Sequence, residues 1–342
     1  MQKSRRIFII SDVKLKPMKM FVDQVPKLSK GLIRLGHDIR VFSYCSALSE
    51  ASPFKSKTFT KLFYKTKVDE ILIKQVKNYQ PQIIYINFPR SLDFVTVESL
   101  RRAAPKAVFI GDDGDPWPKL QNDNRIETAK KLDILIATND GQFLQDYRDA
   151  GVPLCVFMPN MIDPDMDHRY EVENKWYKDI IWSGKAKHHA NTSETLREEL
   201  VEKIAKLNNS AIYGCEGYPK IGGFDYLYAI SGAKIGINVN AVNSIRLYHS
   251  DRLSHYLSCG TMVLAKRVPD TDLLFKDGEH IRYFDTIDEF LDLVDWYLKN
   301  ENERKKIADA GMQRAHKEFN SVKIAGYIID LVEKGKYSAP WT

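Results

Sequence analysis

Two Rossmann-like, doubly wound α/β domains facing a cleft are what this sequence predicts, and three observations predict them. The chain has 342 residues, more than a single hydrophobic core usually organises. Short apolar runs alternate with longer segments of helical period, as in parallel sheets with helical crossovers. The alternation stops in the polar stretch His168 to Lys178 and then begins again. A composition of 44% hydrophobic and 28% charged residues belongs to a folded chain, not to a disordered, collagen-like or coiled-coil one.

The first series opens with an apolar strand at Arg6 to Ile10, a helix from about Met18 to Leu35, a Gly36-His37 turn and a strand at Asp38 to Tyr44. A helix at Lys67 to Tyr79 is stopped by Pro81, and strand Gln82 to Phe88, helix Val95 to Ala103 and strand Ala107 to Gly111 follow. Strand Asp133 to Thr138, a helix ending at Gly151 and strand Leu154 to Met158 complete it. The second series runs strand Asp179 to Trp182, helix Thr195 to Leu207, strand Ser210 to Gly214, helix Phe224 to Ser231, strand Lys234 to Val239, helix Ser250 to Ser258 and strand Thr261 to Ala265. The expected domains are therefore 1–165 and 166–320, with 321–342 a helix and tail returning toward the first.

Several function classes are set aside by composition. The run Ile7 to Ile10 is broken by Ser11 and Asp12, and no apolar run approaches the roughly 20 residues of a membrane span. Cys45, Cys155, Cys215 and Cys259 stand singly, and the adjacent His188 and His189 have no companion at ligand spacing, so no metal is expected. A cytoplasmic location fits, with peripheral attachment to the inner membrane face left open. Residues 1–160 hold 26 Lys+Arg against 17 Asp+Glu, a net +9, and the remainder holds 25 against 28, a net −3. A basic first half suits an anionic partner: a phospholipid, an acidic glycan or a nucleic acid. Its stretch Ser52 to Lys67 interleaves Lys55, Lys57, Lys61, Lys65 and Lys67 with Phe54, Phe59, Phe63 and Tyr64, and reads as a mobile loop leading into a helix.

In doubly wound domains ligands meet the loops that leave the strand carboxyl ends. In the second half those loops hold Ser183-Gly184-Lys185, a small-residue turn that lets backbone approach a phosphate, and Tyr213-Gly214, an aromatic placed to stack on a base. Asn240 closes the third strand, and Ser250-Asp251-Arg252 opens a helix whose amino end and forked cation suit a diphosphate. The helix ends at Cys259-Gly260.

The run Arg252-Leu253-Ser254-His255-Tyr256-Leu257-Ser258-Cys259-Gly260, with Pro269, Asp277-Gly278, Phe284 to Phe290 and the helical pattern Asn302 to Phe319, resembles the carboxyl-terminal domain of GT-B glycosyltransferases, especially the CgeB-like group. The resemblance implies a metal-independent enzyme that takes a nucleotide sugar, UDP-sugar first, with no further cofactor. It implies donor contacts from Ser183, Gly184, Lys185, Tyr213, Gly214, Asn240, Ser250, Asp251, Arg252, His255 and Gly260. His255 stands where many relatives carry the acidic residue that holds the donor ribose, so carboxylate recognition of a ribose is not expected here.

In the first half, Asp112, Asp113 and Asp115 crowd the exit of one strand before Pro116-Trp117-Pro118. A carboxylate there can take the proton of an attacking sugar hydroxyl, and Asp112 is the first choice. The placement resembles that of the catalytic aspartate of phage DNA β-glucosyltransferases. Asp12 and Trp117 are the expected acceptor contacts. Asp113-Gly114-Asp115 also spells the metal-binding pattern of the GT-A class, but a second α/β series after it favours GT-B. A nucleotide-sugar epimerase of the same architecture and a non-catalytic nucleotide- or carbohydrate-binding protein are the alternatives.

Overall fold

Eleven strands, all paired in parallel, form two separate sheets in the computed structural model, which describes residues 3–11, 23–53, 57–114, 125–186 and 195–342. The first sheet contains β1 (Arg6–Ser11), β2 (Asp38–Ser43), β3 (Ile83–Asn87), β4 (Val108–Asp113), β5 (Ile134–Ala137) and β6 (Leu154–Phe157), in the order β2-β1-β3-β4-β5-β6. Its helices are α1 (Gln24–Arg34), α2 (Tyr44–Ala51), α3 (Lys57–Tyr79), α4 (Phe94–Ala103), α5 (Arg125–Ala129) and α6 (Gln142–Asp149). Strand β3, Ile-Ile-Tyr-Ile-Asn, is buried on both faces, the reason it reads as an unbroken apolar run.

The second sheet holds β7 (Lys178–Ser183), β8 (Ser210–Tyr213), β9 (Ala233–Asn238), β10 (Met262–Lys266) and β11 (Arg282–Phe284), in the order β11-β10-β9-β7-β8. Helices α7 (Leu196–Ile204), α8 (Gly223–Ser231), α9 (Asp251–Ser258), α10 (Ile287–Lys299) and α11 (Glu301–Glu318) belong with it. The last helix, α12 (Ser321–Lys334), lies mostly in the first of two compact units, which takes in 25–159 and 322–338; the second takes in 160–321 and 339–342. Within the first unit Arg5 pairs with Glu333 at 2.7 Å. Within the second, Trp341 stacks on Phe319 at 5.0 Å.

Helices α2, α5 and α10 have no counterpart in the expectation, and two further elements depart from it. Helix α3 begins at Lys57 and not at Lys67, because its first turns expose Phe59 and Phe63 and so lack the apolar-in pattern that marks a helix in sequence. Strand β11 is three residues long, too short for alternation to register, and is held by pairing with Leu264, Ala265 and Lys266.

Candidate functional site

In the second sheet the chain direction of winding reverses between β7 and β9, and open α/β sheets bind ligands at the carboxyl ends beside such a reversal. Arg252 bridges that point. Its Nη1 donates to the carbonyl of Ser183 at the end of β7, its Nη2 to the carbonyl of Val239 just after β9 at 2.7 Å, and its Nε to Asn238 Oδ1 at 3.4 Å. The side chain is 9% exposed and its guanidinium lies 5.0 Å from the centroid of the Trp182 ring. Arg252 thus ties the two strand ends together and is held rigidly by doing so.

A second guanidinium, which the sequence did not single out, lies beside it. Arg197, in the first turn of α7, is also 9% exposed and stands 5.6 Å from the centroid of the same indole. Among the described residues it meets neither a hydrogen-bond acceptor nor a carboxylate, and its Nε is buried without a partner. Burial, and then the neighbouring Arg252 charge, push the Arg197 pKa down to about 10. A cation in that position is unfavourable until an anion joins it. The signal in sequence was faint: an arginine in the first turn of a helix, where the dipole disfavours it.

The loops around these cations are built for close approach. Gly184 has φ +136°, and a Cβ placed on it would collide with Arg252 Nη1 and come within 3.4 Å of Arg197 Nη2. Gly214, φ +80°, packs so that its Cβ would reach the Gly184 backbone at 3.4 Å. Gly184 is clamped by its own N–H to Tyr213 O at 2.9 Å and by Trp182 Nε1 to its carbonyl at 3.0 Å. Both turns therefore favour glycine for conformation, and at Gly184 a Cβ would lack space as well. Tyr213, half-buried at the end of β8, pairs in register with Ser183 and has a phenol pushed up by burial and by Asp225. Lys185 is exposed and borders a groove of about 760 Å³ together with Gly214, Cys215, Tyr218 and the α7 residues Glu198 and Val201.

Asn240 organises the loop into α9: it accepts from Ser250 N at 3.0 Å and donates to Tyr248 O at 3.1 Å. Ser250 holds the N-cap position, yet its hydroxyl donates to Asn238 Oδ1 at 2.8 Å and makes no cap bond. Asp251 starts the helix, and its negative charge there opposes an anion at the helix dipole. The anion-binding capacity of this corner therefore rests on the two guanidiniums and the glycine turns more than on the helix end.

Two residues expected among the donor contacts, His255 and Gly260, have partners away from the guanidinium pair. His255 is 2% exposed, with Nδ1 3.5 Å from the Tyr226 hydroxyl and its ring edge-on to that tyrosine, so it packs α9 against α8. Gly260, φ +72°, closes the far end of α9, about 12 Å of helix from its start. Its carbonyl accepts from Arg169 at 2.9 Å, and a Cβ would collide with that side chain, so the Cys-Gly signature is a helix stop.

His249, also unassigned in sequence, is 1% exposed and lies edge-on to Phe275, with burial pushing its pKa down to about 4. An unfolded histidine titrates near 6.5, so only the unfolded chain takes up this proton between pH 6.5 and 4. The contribution is complete above pH 6.5 and is lost as pH falls through that window, by about 1.4 kcal/mol per unit. Urea midpoints at pH 7 and pH 5 should diverge less in His249→Phe than in the wild type; an equal divergence would remove His249 as the cause.

In the first unit, alternation along β4 sends adjacent carboxylates to opposite faces. Asp112 is half-buried beside its register partner Asn87, whose Nδ2 donates to Asp112 Oδ2 at 3.2 Å; burial and then the charge of the same carboxylate hold the Tyr85 phenol, two residues earlier on β3, well above the usual range. Asp113 is 2% exposed, accepts from Tyr147 at 2.7 Å and pairs with Arg125 at 3.2 Å, the bonding of a structural carboxylate. Asp12, Asp115 and Trp117 lie outside the described residues. No group of three or more metal-ligating side chains is found among the described residues, and none of their helices is long and apolar enough to cross a membrane.

Residues 195–330 match the family described as glycosyl transferase-like, while no curated protein matches the chain. Solved structures resemble nearly all of it. HepE of Anabaena in complex with UDP-glucose is 12% identical with a TM-score of 0.66, covering 96% of this chain and 99% of that one. Sucrose-phosphate synthase of Thermosynechococcus elongatus is 13% identical with a TM-score of 0.60, covering 96% and 98%. A putative UDP-N-acetylglucosamine 2-epimerase from Listeria monocytogenes is 13% identical with a TM-score of 0.54, covering 97% of each. The chain has the GT-B fold, and its residues 195–330 match the glycosyl transferase-like family.

Proposed function

We propose that the protein moves a sugar from a nucleoside-diphosphate donor, UDP-sugar first among candidates, to a hydroxyl acceptor, and that it falls in the CgeB-like group. One observation carries this reading: two buried guanidiniums over one indole, beside two positive-φ glycines, with Arg197 lacking any counter-charge among the described residues. A diphosphate supplies the missing negative charge. The GT-B fold shared with HepE in its UDP-glucose complex supports the donor class.

In this mechanism the acceptor oxygen forms a bond to the anomeric carbon as the bond from that carbon to the diphosphate oxygen breaks. The acceptor proton passes to the Asp112 carboxylate, which Asn87 orients. The electron pair leaves with the nucleoside diphosphate, whose growing charge Arg197 and Arg252 stabilise, the role a divalent cation fills elsewhere. No metal is then required. Tyr213 and Gly214 receive the base, and Ser183, Gly184, Lys185, Asn240 and Ser250 frame the phosphates. The basic first unit favours an anionic acceptor: a phospholipid, an acidic glycan or a nucleic acid.

The likeness to a putative epimerase supports a second reading, an epimerase using the same donor corner. A panel of nucleotide sugars scored by thermal shift, with product analysis with and without acceptor and with chelator, separates them. Transfer that survives the chelator is expected. An isomerised sugar formed without acceptor makes the protein an epimerase, and a panel in which no nucleotide sugar raises the melting temperature ends the proposal.

A further inference from the structure

Helix α3 turns a mixed apolar and basic face to solvent. Val68, Leu72 and Val76 are buried on one side, at most 1% exposed. On the other, Phe59, Phe63 and Ile71 are 53%, 63% and 42% exposed, in one stripe with the exposed Lys67, Glu70, Lys74 and Lys77. At 100° per residue these positions fall within about a third of the helix circumference. Phe59 and Phe63 lie one turn apart, with rings parallel within 5° and centroids 6.3 Å apart. Beside this helix, Thr96 Oγ1 on α4 binds Asp69 at 2.9 Å, and its neighbour Val95 is 64% exposed. Two stacked phenyl rings held in water are unfavourable by the hydrophobic effect, and a surface helix ordinarily carries polar residues there.

We propose that this face of α3 docks the protein on a lipid surface carrying negative charge. Three lysines against one glutamate give the stripe a net positive charge, and residues 1–160 as a whole carry +9, so the field is of the sign that anionic headgroups attract. Phe59 and Phe63 enter the boundary between headgroups and chains, while Lys67, Lys74 and Lys77 stay at the level of the phosphates, the arrangement of a helix lying in the plane of a membrane. Lys65, on the inward side, is bound to Asp69, Asp93 and Thr96 and takes no part. The inference stands independently of the donor corner, which lies in the other unit.

The test is co-sedimentation of the full chain with vesicles of a phosphocholine lipid alone, and with vesicles in which part of it is replaced by an anionic phosphoglycerol lipid. Binding to the anionic vesicles only, weakened by salt, is expected. F59S/F63S should reduce it about tenfold or more, and K67E/K74E by a similar factor, both with wild-type melting temperature and UDP affinity. The proposal is overturned if the wild type does not prefer anionic vesicles or if F59S/F63S binds them as well as it does. It is equally overturned if the face instead binds a nucleic acid duplex, or if F59S/F63S only converts an oligomer to a monomer.

Discussion

Arg197→Met is expected to keep or raise the melting temperature while weakening UDP binding on the order of a hundredfold. The two effects have one cause. The guanidinium is buried and lacks an acceptor among the described residues, so an apolar side chain of similar length removes an unpaired charge, a change that is often neutral or stabilising. The same replacement deletes a charge-assisted contact to a phosphate, worth roughly 2–3 kcal/mol. Arg252→Met should behave in the opposite way toward stability, because it removes a donor from Ser183 O and from Val239 O and the longer of two bonds to Asn238 Oδ1, and should cost roughly 2–4 kcal/mol. Thermal melts and UDP calorimetry on the two variants decide the matter. Unchanged UDP affinity in Arg197→Met, or a lower melting temperature for it than for Arg252→Met, would assign Arg197 a packing role instead.

Asp112→Asn should leave UDP affinity unchanged and lower kcat about a thousandfold, the loss typical of a missing general base. Asparagine keeps the shape and can still meet Asn87, so the fold should be retained. Asp113→Asn provides the contrast. It removes the negative charge that faces the buried Arg125 at 3.2 Å, so its effect should appear chiefly as lost stability. Turnover by Asp112→Asn at the wild-type rate would remove Asp112 from the chemistry.

Much of the fold was legible in the chain because parallel strands buried on both faces leave continuous apolar runs, as in Ile83 to Ile86, and because glycine marks the turns that close them. The donor corner was half legible. Gly184 and Gly214 announce themselves by residue type at strand exits and Arg252 at a helix start, whereas Arg197 carries only the faint mark of a cation in the first turn of a helix. His255 and Gly260 lie apart from Arg252 for a related reason. They share a motif with Arg252, but a helix of eight residues carries its two ends to different places.

By itself the sequence determined the class of fold, two wound α/β series, and the strand exits at which polar loops gather, since both follow from local periodicity and from the residues that turns demand. Only the tertiary structure decided how deeply each of those polar residues is buried and what it is bonded to. Asp112 and Asp113 are neighbours in sequence yet differ in burial and bonding because a strand alternates its faces. Arg252 and Arg197 are distant in sequence and share one indole because β7, β9 and the helix after β7 converge there. Burial and hydrogen-bond satisfaction belong to three-dimensional neighbours, and a chain written in one dimension does not contain them.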